Sequence, residues 1–355
     1  MDYVSRRDFY QRRCLGAAFF LLLAYAVIVE WAVYFLSPWW SWPTLPLQNE
    51  INTRVLVVGD PQLLGLVNTA PGFFGAVELW DADRYLRKTF RRVHRFFKPH
   101  VVLFLGDVFD EAEFATDAHF DIYFKRFLSV FSDLNMAQAI IIPGDNDIGG
   151  EVTPPKKRMI RRFNRYFRSD PVVSHDKIDF VKVCYVTRSY AYRAFLRDKA
   201  DHVRVVVSHL PLTPTYGSYV KDIVREIEPD LIFSGHDHLS EYIATGRANK
   251  MVEKMALRFT MDLVAARLNL SDGHVHEIQV PTCSYRMGTY NVGYGAAIID
   301  PDRIVTYGVL WSPQRLAHLF GYLVVLTISL LLVLVAVTSP QSVLYLKIMF
   351  CRKHT

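Results

Sequence analysis

Cysteine is scarce in this chain, four among 355 residues, and the four are scattered. That argues against the clustered thiolates from which structural zinc sites are built. Cys14 and Cys351 lie near the ends; Cys184 and Cys283 lie in the interior, where spacing alone leaves a disulfide open. No internal repeat and no low-complexity tract occurs, which sets aside a solenoid or a long disordered arm. Nothing resembles the Gly-rich loop that cradles a nucleotide, and no nucleic-acid partner is expected. Charge is missing in two places: residues 319–337 carry none, and residues 15–36 carry only Glu30.

What is present is apolar. Hydrophobic residues make up 51% of the chain and the mean hydropathy is +0.12 despite 21% charged residues, so the apolar excess must be concentrated. It lies at the two ends. Residues 15–36 and 316–337 are each long enough, at about 1.5 Å per residue, to cross a hydrocarbon core of about 30 Å. The first run exceeds a signal-peptide core, and Trp31, Trp39, Trp40 and Trp42 supply an aromatic belt. Arg6, Arg7, Arg12 and Arg13 precede the first run, while Lys347, Arg352 and Lys353 follow the second. Both tails, residues 1–14 and 338–355, are therefore expected in the cytosol. Residues 37–50, with Pro38, Pro43 and Pro46, read as a stiff extended neck, and residues 51–312 as a lumenal or extracellular head. The last four residues resemble an endoplasmic-reticulum retrieval tail, and Asn269-Leu270-Ser271 is a glycosylation acceptor. The expected location is the endoplasmic reticulum or Golgi membrane.

Apolar, β-branched runs occur in the head at residues 54–58, 101–105, 139–142, 203–207 and 231–233, each short enough for a buried strand. Residues 80–97 have helical spacing, with Asp81 as a cap and Pro99 as a stop. This alternation, followed by a β-rich stretch at 284–310, predicts an α/β head of two facing sheets flanked by helices. Residues 249–268, Met-rich and amphipathic, read as a helix that packs on the core or as a lipid-touching lid. Basic runs at 84–98 and 156–168 read as solvated helix faces ahead of a phosphate-binding surface.

The chemistry is concentrated in five segments: VVGDPQ (57–62), FLGDVFDE (104–111), IPGDNDIGGE (142–151), VVSHLPL (206–212) and FSGHDHLSE (233–241). Each ends a predicted strand in a turn and an ionisable residue, and loops at strand ends bring distant groups into one crevice. Together they offer Asp60, Gln62, Asp107, Asp145, His209, His236 and His238. One Asp after a strand is usually a cap or turn former, but that does not explain an ordered set of five segments. Carboxylate and imidazole donors suit divalent cations. Two ions about 3.5 to 4 Å apart, sharing a carboxylate, are suited to phosphate-ester hydrolysis.

The order Asp-x-Gln, Gly-Asp-x-x-Asp, Gly-Asp-Asn-Asp, Ser-His, Gly-His-x-His resembles the calcineurin-like metallophosphoesterase superfamily across residues 54–240. That resemblance implies a four-layer αββα sandwich. It implies that Asp60, Gln62, Asp107 and His238 hold one metal and that Asp107, Asp145, His209 and His236 hold the other. Asp107 would bridge, Asp107 and Asn146 would be the catalytic pair, and Asp110 and Asp147 would be supporting acids. Two motifs depart from the family pattern. Gln62 stands where His is usual, and Asp145-Asn146 stands where Asn-His is usual. Asn146 donates a hydrogen bond but delivers no proton, which leaves His119 as a candidate acid. The Asp-Pro-Gln form, the two apolar runs and the closing segment at 281–300 narrow the resemblance to the metallophosphoesterase 1 group. That group implies a manganese enzyme removing ethanolamine phosphate from the second mannose of GPI anchors, with ER-exit cargo machinery as a partner. In the closing segment Tyr285, Arg286 and Tyr290 are candidates for touching phosphate or sugar, with core packing as the alternative. Two other readings compete: a phosphoesterase for another membrane substrate, and a catalytically weak metal-binding scaffold or cargo factor, which Asn146 favours.

Overall fold

The β-branched runs fold as strands because both of their faces are covered. The computed structural model describes residues 2–47, 51–150, 153–168, 170–191, 196, 202–215, 217–246, 251–257 and 265–338. In chain order the first elements are α1 (Asp2–Val27), α2 (Val33–Ser41), β1 (Thr53–Val58), α3 (Phe73–Phe97), β2 (Val101–Phe104), α4 (Asp117–Val130), β3 (Gln138–Ile141), α5 (Asp145–Ile148) and α6 (Lys157–Tyr166). Next come β4 (Val172–His175), β5 (Ile178–Cys184), β6 (Ser189–Tyr190), β7 (Val203–Ser208), α7 (Ser218–Ile227) and β8 (Leu231–Ser234). The last are β9 (Glu241–Thr245), β10 (Met251–Ala256), β11 (Ala266–Asn269), β12 (Val275–Gln279), β13 (Gly293–Ile299), β14 (Ile304–Trp311) and α8 (Arg315–Thr338). The described residues divide into two units, Ser37–Ser312 and the flanking helical segments.

In the larger unit one sheet runs β11-β14-β13-β1-β2-β3 and the other β10-β9-β12-β8-β7-β5-β4, with β6 on β5. Val55, Val57 and Leu103 of the first sheet share a core with Val205, Phe233 and Ile278 of the second. On the outer face of the first sheet, Phe90 of α3 and Phe127 of α4 close around Phe104. On the outer face of the second, Val220, Ile223 and Ile227 of α7 pack on Val206 and Ile232. The order helix, sheet, sheet, helix is the expected αββα sandwich.

Four expectations are corrected. α3 begins at Phe73 rather than near Asp81, after Gly72 at φ 82, and Asp81 is a buried mid-helix acceptor for the Tyr285 hydroxyl at 2.9 Å. The neck is helical as far as Ser41, with Pro38 inside α2, where Ser41 Oγ donates back to Ser37 O at 2.6 Å. Trp42 is buried rather than girdling: its indole donates to Trp311 O at 2.9 Å and its ring meets Phe96 edge-on. The Met-rich stretch supplies β10 and β11 where a helix was expected, because edge pairing to β9 and β14 outweighs its helical spacing; residues 258–264 lie outside the described ones. Cys184 and Cys283 are both free thiols.

Among the described residues two helices are long and apolar enough to cross a membrane, Gln11–Ser41 and Arg315–Thr338. They run antiparallel, with Gln11 Nε2 donating to Ala336 O and Tyr25 Oη to His318 O. Glu30, the one charge of the first run, meets Arg315 Nη1 at 2.6 Å, as an ionisable group in an apolar helix requires.

Lys182 of β5 lines a cavity of about 260 Å³ with Ile141, Phe163, Phe167, Cys184 and Tyr190, and donates to Ile141 O at 3.2 Å. Burial pushes its ammonium down to about 8, against a pull upward from Asp170. Below pH 8 the ammonium is charged in the folded and unfolded chains alike, and burying it costs about 3 kcal/mol. Between pH 8 and 10.5 only the unfolded chain keeps the proton, so this cost fades as pH rises. Lys182→Met is therefore expected to raise the melting temperature at pH 7 by an amount that shrinks across that window. A gain that stays constant with pH would show that Lys182 is not a buried charge.

Candidate metal centre

Because β1, β2 and β3 are parallel, the residues that follow them, Asp60, Asp107 and Asp145, arrive at one edge of the first sheet. In the second sheet β7 and β8, also parallel, deliver His209 and His236. His209 Nε2 lies 2.7 Å from Asp145 Oδ1 and 3.5 Å from Asp107 Oδ1, while His209 Nδ1 lies 3.6 Å from Asp60 Oδ1. His236 Nδ1 is 3.3 Å from Asp145 Oδ1 and 3.2 Å from His209 Nε2. Two overlapping donor sets result, Asp60 with Asp107 and His209, and Asp145 with His209 and His236, each with ligand atoms within 4.8 Å of one another. Gln62 joins them through Nε2, which donates to Asp107 Oδ2 at 3.2 Å. Asn146 gives Asp107 two bonds, from its backbone N–H and from Nδ2, both 3.0 Å. His238 lies in neither donor set; it is half-buried, and its charge acts on Asp60.

The backbone is strained where these residues sit. Asp60 (φ 42), Gln62 (φ 39), Asp107 (φ 46), His236 (φ 69) and His238 (φ 56) are all left-handed, which costs an L-residue about 1 to 2 kcal/mol each. Such strain persists only where surrounding bonds over-determine it. Here Gln62 N donates to Asp107 O, Gly235 N to His209 O, and Thr282 Oγ1 to Asp60 O, at 2.9, 2.9 and 2.8 Å. Gly144 is required by close approach, since a Cβ there would stand 2.1 Å from Asp107 Oδ1.

Three buried carboxylates hold the loops. Asp147 accepts from the N–H groups of Val108, Phe109 and Gly144, binding the turn after β2 to the turn after β3. Glu277 of β12 accepts from Leu212 N, Thr213 N, Thr213 Oγ1 and Ser234 Oγ, fixing the segment beyond His209. Glu111 accepts from Val67 N, Asn68 N and the Tyr123 hydroxyl. Sequence reasoning singled out Asp147 and missed Glu277, Glu111 and Thr282, whose partners are distant in the chain and leave no local pattern. Asp110 bonds no ligand: its carboxyl is pushed up by burial, with Glu111 and Glu78 adding to the rise and Arg286 opposing it.

Burial pushes the carboxyls of Asp60 and Asp107 up, opposed in each case by His209. Burial would raise Asp145 too, but its hydrogen bonds with His209 and His236 outweigh that and hold it below the ordinary range. Burial opposes charge on His209, yet Asp107, Asp145 and Asp60 prevail and raise its imidazole well above normal. The carboxylates thus draw protons onto imidazoles, protons that a bound cation displaces. Asp145 Oδ2 is buried without a hydrogen-bond partner, and among the described residues no lysine or arginine pairs with Asp60, Asp107 or Asp145. Crowded oxygen and nitrogen donors with an orphaned carboxylate oxygen fit divalent metal ions.

Other candidates lie outside these sets. His119 sits in the first turn of α4, capped by Thr116 and stacked on Tyr123, and none of its contacts is a candidate ligand. Tyr285 is buried against Tyr85, Arg286 pairs with Glu78 at 2.6 Å, and Tyr290 is exposed. Of the second basic run, Arg162 is buried on the carbonyls of Ala112 and Ala115.

Residues 53–240 match the calcineurin-like phosphoesterase family. A Metallophosphoesterase 1 homolog of Drosophila melanogaster is 27% identical over 140 residues, 39% of this chain and 36% of its own length. Metallophosphoesterase 1 of Ailuropoda melanoleuca is 24% identical over 181 residues, 51% of this chain and 45% of its own length. The chain therefore spans less than half of these curated relatives. Among solved structures, purple acid phosphatase PPD1 of yellow lupin aligns with a TM-score of 0.44 at 10% identity, over 76% of this chain and 53% of its own.

Proposed function

This chain belongs to the calcineurin-like phosphoesterases, and on that footing we propose that it is a two-metal phosphodiesterase acting on a membrane-borne substrate. The observation that carries the reading is the meeting of Asp60, Asp107, Asp145, His209 and His236 at the ends of strands from both sheets. Asp60, Gln62, Asp107 and His238 would hold one ion, and Asp107, Asp145, His209 and His236 the other, with manganese the proposed metal. When bound, such a pair supplies positive charge to the attacking and leaving oxygens at phosphorus. His209 is aimed by its other nitrogen: Nδ1 lies 2.8 Å from Leu105 O, an acceptor only, so Nδ1 keeps its proton, and Nε2 would offer its lone pair once a bound cation displaced the second proton. Asn146 orients rather than protonates, since an amide has no proton to give. A general acid contributes about 10² to 10⁴-fold, so turnover without one is slow.

The finer assignment is release of ethanolamine phosphate from the second mannose of GPI anchors, with the head on the lumenal side of an endoplasmic-reticulum or Golgi membrane and ER-exit cargo machinery as partner. Similarity to Metallophosphoesterase 1 relatives and the two apolar helices support it. Purified full chain loaded with manganese is expected to hydrolyse a generic phosphodiester. Cells lacking the chain are expected to accumulate anchors with the extra ethanolamine phosphate by mass spectrometry. Unchanged anchors would move the assignment to another membrane phosphoester. No hydrolysis by metal-loaded protein would favour the scaffold reading to which Asn146 points.

A further inference from the structure

Two features that proteins normally avoid sit side by side at one edge of the larger unit. Where the edge strand β3 of the first sheet meets β5 and β6 of the second, a cavity of about 260 Å³ is left among Ile141, Phe163, Phe167, Cys184 and Tyr190. Interiors are packed to crystal density, and a void of this size forfeits dispersion contacts around its wall. Lys182 of β5 lines the same cavity. Its ammonium has three protons to donate, and one goes to Ile141 O at 3.2 Å. Among the described residues no carboxylate pairs with it; exposed Asp170 acts on it only from farther off. An unfilled void and an unpaired cation each cost stability, and one ligand of the right chemistry relieves both.

The lining specifies that chemistry. At the α6 side Ile160, Phe163, Asn164 and Phe167 follow one another at spacings of three and one, then three, which is one stripe of a helix, and all four face the cavity. The wall is therefore mostly apolar, and of its hydroxyls those of Thr187 and Ser189 already bond each other at 2.8 Å. At about 30 Å³ for each water-sized group the space takes about nine non-hydrogen atoms. The cavity shares Asn164 and Phe167 with an outer recess lined by exposed Arg168 and Asp170, which gives a way in from solvent. One ammonium calls for one negative charge; a second would be left uncompensated beside apolar walls. None of Asp60, Asp107, Asp145, His209 and His236 lines this space. It is nonetheless adjacent to them, since Pro143 and Ile148 line it on either side of Asp145 in the chain. A Cβ on Gly150 would stand 2.7 Å from Val186 Cγ1 and 3.3 Å from Asp145 Cβ, so the turn that carries Thr187 also lies against the Asp145 segment.

We propose that this cavity is a binding site for a small apolar carboxylate, its tail among the α6 aromatics and its head on the Lys182 ammonium, beside the metal centre and separate from it. The site does not rest on the phosphodiesterase reading. The test uses the purified full chain with octanoate as probe and follows alkylation of the free Cys184 thiol, which lines the cavity, by peptide mass spectrometry. Octanoate is expected to slow alkylation of Cys184 saturably, about tenfold when present at ten times its Kd, with half-saturation below about 1 mM. Cys14 of α1, also a free thiol, is the control and should react at an unchanged rate. Octan-1-ol, equal in length but neutral, and octyl phosphate, which brings more than one charge, should both protect less at matched concentration. Lys182→Met should remove the preference for octanoate over octan-1-ol while raising the melting temperature at pH 7, a pair of effects that a merely structural lysine would not give. Unchanged alkylation of Cys184 in octanoate would overturn the proposal. So would equal protection by octan-1-ol in the parent chain, which would leave the ammonium without a role. Tighter protection by octyl phosphate would overturn the carboxylate head. Slowing of Cys14 and Cys184 alike would overturn the site, since the probe would then act on the chain as a whole.

Discussion

Asp107→Asn is expected to remove phosphodiester hydrolysis and to leave the purified protein with one metal ion or none. Asp107 is 3% exposed and stands between the two donor sets, facing His209 at 3.5 Å. Its Oδ1 takes the Asn146 N–H, and its Oδ2 takes Nδ2 of Asn146 and Nε2 of Gln62. An asparagine keeps the shape but removes the charge, and its NH₂ turned toward Gln62 and the Asn146 side chain would set donor against donor. Loss of one preorganised charge-stabilising group typically costs about 10² to 10³-fold in rate, and a shared metal ligand should cost at least that. Turnover of a chromogenic diester and elemental analysis of the dialysed protein check both arms, with a melting curve to confirm folding. Full activity in this variant would exclude Asp107 from the centre.

The second large effect is on stability. Glu277→Ala is expected to lower stability by about 4 kcal/mol, or about 10 °C in melting temperature for a domain of this size. Glu277 is 0% exposed and takes four donors between 2.5 and 2.9 Å. Alanine would orphan two backbone N–H groups and two hydroxyls in the core, each at about 1 to 3 kcal/mol before partial relaxation. The same change frees Leu212 and Thr213, so His209 should lose its fixed place and metal affinity should fall with stability. A melting temperature within about 2 °C of the parent, on the same size-dependent scale, would mean that the four donors find other partners.

The five strand runs were legible because burial on both faces writes itself into composition: residues 203–207 and 231–233 are apolar throughout or nearly so, and β7 and β8 are buried at every position. The meeting of Asp60, Asp107, Asp145, His209 and His236 was legible for a related reason, since parallel strands that end together must deliver their next residues together. What was illegible is held by partners far apart in the chain. The start of α3 at Phe73 was hidden because two exposed phenylalanines fit no amphipathic pattern. β10 and β11 read as helix because Met, Ala, Leu, Glu and Lys carry helical propensity, and only the neighbouring strands reverse it. Asn146 stood out in the sequence beside Asp145, yet its double grip on Asp107 appears only in three dimensions.

The bond from the Trp42 indole to Trp311 O joins residues 269 apart in sequence. The head is therefore close to a ring: its two ends meet, and a short linker between them would close it. New ends could then be opened at the turn around Gly273, where a side chain would meet nothing within 4 Å. A circular permutant made this way should keep its sheets while losing both apolar helices, which separates what folds the head from what those helices add to it.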